Sequence, residues 1–271
     1  LSSAAVLDGV TITGGNANAS SGSITYSGQT IEKKFGGGLY NYSSSPTLTN
    51  LTISGNAAIH AGGGLYNYSS SPTLTNVTIS GNTASSGGGG IFNYNGSSPT
   101  ITNTIFWGNK TGSSPPTTNV AGADIKNASS STAIITYSLV QLASSSYTSG
   151  NSNLLTTNTN MVYATDPSFN DASDPDGADN VWMTADDGLN IINSPAYGVG
   201  KSSGAPSTDI TGASRASSPS MGAYEGFITR YYVDIDATGT GAGTSWTNAY
   251  TGLQDAIDAS SVGDEIWVAE G

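Results

Sequence analysis

The stretch "GGGLYNYSSSPTLTN" occurs at 36–50 and again, letter for letter, at 62–76. A chemical site needs one copy of each group, so a duplicated run describes architecture. A third, looser copy follows. Gly38, Gly64 and Gly90 open units that continue as Leu39-Tyr40-Asn41-Tyr42, Leu65-Tyr66-Asn67-Tyr68 and Ile91-Phe92-Asn93-Tyr94, then run on to Pro46, Pro72 and Pro99. The period is 26 residues, with one extra residue at Ser97-Ser98. A period of this size marks a solenoid, in which each unit buries its apolar face only by stacking on its neighbours.

Side-chain parity locates the corners of one unit. Leu48 and Asn50 share one parity, whereas Leu51 and Ile53 share the other. Strand side chains alternate between faces, so the break at Asn50 is a corner, repeated at Asn76 before Val77 and Ile79. Asn suits a corner because it tolerates the left-handed region and bonds its own backbone. A further corner falls at Gly55-Asn56 and Gly81-Asn82. Each unit therefore reads as three short strands closing one coil of an all-β, parallel β-helix.

The pattern extends beyond the exact copies. "LDGVTITGGN" at 7–16 matches the half-coil from Leu51 to Asn56, and "ADIKNASSSTAIITYSLVQ" at 123–141 reads as a degenerate last coil with Ile125 and Asn127 in place of Ile91 and Asn93. About five coils result, roughly 25 Å of solenoid at about 4.8 Å per strand. Leu39, Leu65 and Ile91 are expected to stack inside, as are Leu48, Leu74 and Ile101. Parallel stacking also predicts two inward ladders, Asn41–Asn67–Asn93 and Asn50–Asn76–Asn103, each satisfied by amide bonds along the stack. Tyr40, Tyr66 and Phe92 form one aromatic row and Tyr42, Tyr68 and Tyr94 another. Strand packing accounts for such rows, and a sugar-binding strip is the functional alternative.

Composition narrows the function. The formal charge is −12, from 7 basic and 19 acidic residues, which disfavours nucleic acid and anionic membranes as partners. Cys is absent, no apolar run approaches a membrane span, and "LSSAAVLDGV" lacks the features of a signal peptide, so the chain reads as a processed product or a portion of a longer one. Low charge with abundant Ser, Thr and Asn suits an extracellular or cell-surface setting. From Phe35 through Asn109 there is no Asp, Glu, Lys or Arg, and His60 is the only titratable group besides tyrosines. Glycoside hydrolysis needs paired carboxylates, so the coils read as non-enzymatic and His60 as a surface residue.

Two further features point to possible ligands. "DPSFNDASDPDGADNVWMTADDG" at 166–188 gathers Asp171, Asp174, Asp176, Asp179, Asp186 and Asp187 around glycine, a grouping that could wrap Ca²⁺; the alternative is a solvated acidic turn. Eight Asn-x-Ser/Thr sequons occur, at Asn18, Asn41, Asn50, Asn67, Asn76, Asn95, Asn109 and Asn127. Asn18, Asn95 and Asn109 are expected in loops and are the candidate glycan acceptors.

The units "LDGVTITGGNA" and "GGGLYNYSSSPTLTNVTISGN" resemble the right-handed parallel β-helix repeats of large bacterial surface and secreted proteins, a pectate-lyase-like solenoid, and are similar to polymorphic outer-membrane-protein repeats. "DDGLNIINSPAYGVG" and "DITGASRASSPSMGAYE", within 186–225, resemble the segment that ends such helices ahead of a choice-of-anchor signal; that family often has an acid where this chain has Ser220. "GLQDAIDAS" and "DEIWVAEG", within 230–271, resemble the cap helix and first strand of a following helix. The resemblance implies coils over 1–141, a loop-rich terminating segment over 142–228, and the start of another unit over 229–271. It implies a structural module of a bacterial fibre or adhesin. In that reading copies join head to tail, with Ile266 and Val268 of one laid over Val6, Val10 and Ile12 of the next. A polysaccharide-binding or polysaccharide-degrading helix is the alternative.

Overall fold

The computed structural model describes residues 5–26, 28–112, 123–143, 155–260 and 264–270. The chain is a parallel β-helix. Its first coil contributes β1 (Val6–Thr13) and β2 (Asn16–Ala17). A hairpin that the period does not foretell follows, with β3 (Ser23–Tyr26) antiparallel to β4 (Gln29–Glu32). The second coil holds β5 (Leu39–Tyr42), β6 (Thr47–Ser54) and β7 (Ala57–Ala58). The third holds β8 (Leu65–Tyr68), β9 (Thr73–Thr75), β10 (Thr78–Ser80) and β11 (Thr83–Ala84). The fourth repeats it as β12 (Ile91–Tyr94), β13 (Thr100–Thr102), β14 (Ile105–Trp107) and β15 (Lys110–Thr111). A fifth contains β16 (Ile125–Asn127), β17 (Ala133–Thr136) and β18 (Leu139–Val140).

The coils do not stop at 141. Strands β19 (Leu155–Thr159) and β20 (Val162–Tyr163) pair in parallel with β17 and β18, adding a sixth level inside the stretch expected to be terminating loop. Equivalent strands stack into a ten-stranded sheet and two four-stranded ones. Register is set by the repeat: Leu39 pairs with Leu65 and Leu65 with Ile91, while Leu48 pairs with Leu74 and Leu74 with Ile101. Leu48, Leu51, Ile53, Leu65, Leu74, Ile79, Ile91 and Ile101 are fully buried in one continuous core.

The glycine triplets follow from this stacking. A Cβ on Gly63 would lie 2.3 Å from the Thr83 carbonyl oxygen and 2.5 Å from that of Gly89, so no larger residue fits between coils there.

The corners at Asn50, Asn76 and Asn103 adopt left-handed φ of 49°, 54° and 52°, as parity requires. Their side chains form no continuous inward ladder. Asn103 Nδ2 does donate to Asn76 Oδ1 at 3.1 Å, but the row also turns to a strap, residues 196–226, lying along the flank of the coils. Asn50 Nδ2 donates to the Thr208 carbonyl at 3.0 Å, Asn76 Nδ2 to that of Ser220 at 2.9 Å, and Asn103 Nδ2 to that of Lys201 at 2.9 Å. The physical reason is that a corner residue points away from the enclosed core, and its amide then needs partners from outside the coil. The strap crosses three coils in this way.

Gly222 enters with φ 93° and so close to the coils that a Cβ would meet Ile105 Cδ1 at 2.8 Å. A buried ion pair locks the strap. Arg215 Nη1 lies 3.0 Å from Glu225 Oε2, and Arg215 Nη2 donates to Asn50 Oδ1 at 3.0 Å and the Ala223 carbonyl at 2.8 Å. Ser220, in place of the acid, donates its N–H to Glu225 Oε2 and accepts from the Gly198 N–H at its hydroxyl.

The C-terminal unit comprises β21 (Arg230–Val233), α1 (Leu253–Ala259) and β22 (Glu265–Val268), with β21 parallel to β22. The helix and strand fall where "GLQDAIDAS" and "DEIWVAEG" place them. Of the helix's apolar residues only Ala256 is buried, and Leu253 and Ile257 face solvent. No helix among the described residues is long and apolar enough to cross a membrane.

Candidate functional site: an aromatic cleft on the first face

The face built by β5, β8, β12 and β16 carries the strongest candidate site. Alternation along "LYNY" sends the first and third residues into the core and the second and fourth outward. Inward, Asn41 Nδ2 donates to Asn67 Oδ1 at 3.0 Å, Asn67 Nδ2 to Asn93 Oδ1 at 2.8 Å, and Asn93 Nδ2 to Asn127 Oδ1 at 2.8 Å. This ladder is as the repeat predicts, with one more rung. Each rung contributes about 0.5–1.5 kcal/mol net, and a broken rung leaves a buried amide unpaired.

Outward, the rings stack. Tyr42 and Tyr68 lie 4.7 Å apart with planes 5° from parallel, Tyr66 and Phe92 lie 5.5 Å apart at 2°, and Tyr68 and Tyr94 lie 5.7 Å apart. Phe35 stacks on Tyr66 at 4.5 Å, and His60 meets Phe35 edge-on at 4.9 Å. The two rows and the hairpin enclose a cleft of about 480 Å³, lined by Tyr40, Tyr42, Tyr66, Tyr68, Phe92 and Tyr94 with Thr30, Glu32 and His60 at one end. Within the rows the rings cover one another's faces. The wall therefore presents ring edges and phenol hydroxyls, two from each of the second and third coils and one from the fourth. Ala128 follows Asn127 where the second, third and fourth coils have a tyrosine, which leaves the last ring, Tyr94, 36% exposed.

The cleft is electrically quiet. Burial, then the neighbouring Tyr42 and Glu32, pushes the Tyr40 phenol up to about 12. Burial likewise pushes Tyr66 up, followed by Tyr40. Burial and then Lys34 hold the His60 imidazole below its ordinary value. Glu32 is paired with Lys34 at 2.6 Å on the hairpin. Near neutral pH these shifted side chains offer uncharged donors and acceptors beside apolar rings. His60, read from sequence as a bystander, belongs to the cleft because the insertion of β3 and β4 folds over it. No signal in the repeat itself reveals this.

The other sequence candidates separate. Asn109 is fully buried: its Nδ2 donates to the Ile79 carbonyl at 2.9 Å and Asp124 Oδ1 at 3.0 Å, so it cannot accept a glycan in the folded coil. It belongs to a second inward ladder, Asn56–Asn82–Asn109, with rungs of 3.0 Å and 3.1 Å. The recurring Gly-Asn corner was its signal. Asn18 and Asn95 are exposed.

The six aspartates do not converge. Among the described residues no three acidic or histidine side chains come close enough to share a cation. Asp187 is buried and accepts from Met183 N–H, Thr184 N–H and the Tyr224 hydroxyl. Asp171 Oδ1 accepts from Ser173 N–H and hydroxyl, Asp186 from the Thr184 hydroxyl, and Asp179 from Val181 N–H. They are turn-forming side chains spread along the loop. Of the assembly residues, Val6 and Val268 are exposed at 67% and 57%, Val10 and Ile12 pack on the core, and Ile266 is half-buried.

No protein-family model, curated protein or solved structure matches this chain. What the geometry defines is a parallel β-solenoid with stacked asparagine ladders, to which an aromatic cleft and a flanking strap have been added.

Proposed function

We propose that the protein is an extracellular, adhesin-type solenoid module that binds uncharged glycans in the aromatic cleft. The observation that carries this reading is the cleft wall: stacked rings, of which the Tyr42–Tyr68–Tyr94 row bears one hydroxyl per coil, on a face without charged residues from β5 to β12. Aromatic side chains with a polar tip combine apolar contact with hydrogen bonding, the combination that a sugar's mixed surface demands. Successive hydroxyls rise by one coil each, close to the advance per residue of an extended glycan chain. Among the described residues Glu32 is the only carboxylate lining the cleft, and hydrolysis of a glycosidic bond calls for two, which supports binding over cleavage. The net charge of −12 works against acidic polysaccharides.

Native electrophoresis in gels containing neutral or acidic polysaccharides tests this. Retardation by a neutral polysaccharide, abolished by Tyr68→Ala with the coils still folded, is the expected result. Unchanged retardation in Tyr68→Ala, or retardation only by acidic polymers, would refute it.

A second reading rests on a different observation. Ile235, Trp246, Leu253, Ile257, Trp267 and Val268 of the C-terminal unit are all exposed. Clustered apolar exposure of this kind marks a contact surface, and head-to-tail joining of copies into a fibre would cover it. Sedimentation of the full chain beside a chain lacking 230–271 distinguishes the two forms: the fibre reading requires large assemblies that the deletion abolishes.

A further inference from the structure

The second face, built by the first half of β6 and by β9, β13 and β17, carries threonine at its outward positions. Thr47 pairs with Thr73 and Thr73 with Thr100, which gives one rank running down the coils. Thr49, Thr75, Thr102 and Thr136 pair in turn and give a second. Between the ranks Leu48, Leu74, Ile101 and Ile135 point inward and are wholly buried, so each strand of the array is anchored on the core. Thr47, Thr73 and Thr100 are exposed, and the second rank is half-buried.

Threonine is a ready strand former, and a single outward threonine needs no other explanation. This array, however, is more regular than the coils that carry it. The fourth coil has Ile91, Phe92 and Ile101 where the third has Leu65, Tyr66 and Leu74, and it holds the extra residue at Ser97-Ser98, yet Thr100 and Thr102 stay in register. In the fifth coil Ile134 takes the first position and Thr136 keeps the second, its hydroxyl 3.3 Å from that of Thr102. The face is also uncharged: β6, β9, β13 and β17 contain no Asp, Glu, Lys or Arg, in a chain of net charge −12. The strap does not cover it. Beyond the Asn corners the strap lies on the adjoining strands, where Ala223 N–H donates to Thr78 Oγ1 at 3.0 Å and Gly222 closes on Ile105.

The dimensions of the array are fixed by the fold. Threonines of one rank repeat at about 4.8 Å per coil, and the two threonines of one strand lie two residues, roughly 6.6 Å, apart. Branching at Cβ restricts χ1, so hydroxyls and methyls hold their places before any ligand arrives. Water bound to the hydroxyls is laid out on a nearly rectangular grid with methyl groups between. A grid that repeats in two directions matches a crystal face rather than a flexible chain. The prism face of hexagonal ice repeats along two perpendicular directions at spacings close to these, and it is uncharged. We propose that the threonine face binds ice, with the waters held by the two ranks shared with the crystal lattice. A charged side chain would bring its own hydration shell into such a contact, and this face has none. The rigid coils supply the preorganisation that a contact made through ordered water requires. Molecules adsorbed in this way force the ice front to advance as curved surfaces between them, which lowers the temperature at which it grows. The proposal is independent of glycan binding, since none of these threonines lines the cleft.

Cooling a single ice crystal in a solution of the full chain tests it. A gap between melting and freezing temperatures that widens with protein concentration is expected, and fluorescein-labelled chain should be taken up into the growing ice. Thr73→Lys and Thr100→Lys, each at an exposed position, should abolish both signals with the unfolding midpoint unchanged. Tyr68→Ala, which removes a ring of the cleft wall, should retain them. The proposal is overturned if the full chain is excluded from the ice or freezes without a gap. It is also overturned if either lysine variant binds ice as the unsubstituted chain does, or if Tyr68→Ala loses binding as they do.

Discussion

Replacing Arg215 by Met should detach the strap without melting the coils. In the native strap the guanidinium lies 3.0 Å from Glu225 Oε2 and donates to Asn50 Oδ1 and to the Gly222 and Ala223 carbonyls at 3.0, 3.1 and 2.8 Å. Both partners of the pair are nearly inaccessible, at 2% and 9%. Met fills the volume but leaves a buried carboxylate whose remaining donors are the Ala216 and Ser220 N–H groups. Breaking a buried pair from one side costs about 3–5 kcal/mol. The loss falls on the strap, because Leu48, Leu74 and Ile101 belong to a coil core cluster that includes no strap residue. Hydrogen exchange resolved by peptide mapping is the assay: protection should collapse over 196–226 and persist over 39–107. Removing both charges, Arg215→Met with Glu225→Leu, should recover most of the loss, since the penalty is the unpaired charge. A cost under about 1 kcal/mol for the single change, or uniform loss of protection across coils and strap, would refute the latch.

Other consequences are separately measurable. Ile79→Ala opens a hole in a fully buried stack whose neighbours Ile53 and Phe106 are fixed by register, and should cost about 2–5 kcal/mol in chemical denaturation. Glycan affinity should be flat from about pH 7 to about pH 9, because the buried Tyr40 and Tyr66 phenols titrate above the ordinary range and His60 below it; isothermal titration across that interval checks this. Adding a chelator should leave the melting temperature unchanged, because the six aspartates do not converge and Asp171, Asp179, Asp186 and Asp187 are engaged with Ser173, Val181, Thr184 and Tyr224; a fall of several degrees would indicate bound calcium.

The repeat made one half of this molecule legible and hid the other. Strict periodicity specified the stacking of Leu39 on Leu65 and the ladder from Asn41, because identical residues one period apart must lie over one another. It misplaced Asn50, Asn76 and Asn103, since parity locates a corner without saying what lies outside it. Their partners, Thr208, Ser220 and Lys201, are about a hundred residues or more away in sequence and belong to no period. Asn109 was mistaken for a loop residue because the corner Gly-Asn that precedes each short third strand was read only as a turn. The sixth level at 155–163 lacks the Gly-triplet and Tyr-Asn-Tyr signature, so only backbone pairing to β17 and β18 reveals it. The hairpin that carries Glu32 had a signal, alternation on either side of Ser27-Gly28, but one outside the repeat. The cleft was therefore half legible: its tyrosine rows came from the period, and its closed end from an insertion.

Ligand binding is proposed for the aromatic face. Ring-resolved NMR of protein carrying ¹³C-labelled tyrosine, titrated with a retained neutral oligosaccharide, tests it most directly. Saturable shifts of Tyr40, Tyr42, Tyr68 and Tyr94 are expected, the largest at Tyr94, with Tyr224 and Tyr250 unmoved. Shifts confined to Tyr231, Tyr232 and Tyr250 of the C-terminal unit, or none at saturating sugar, would contradict it.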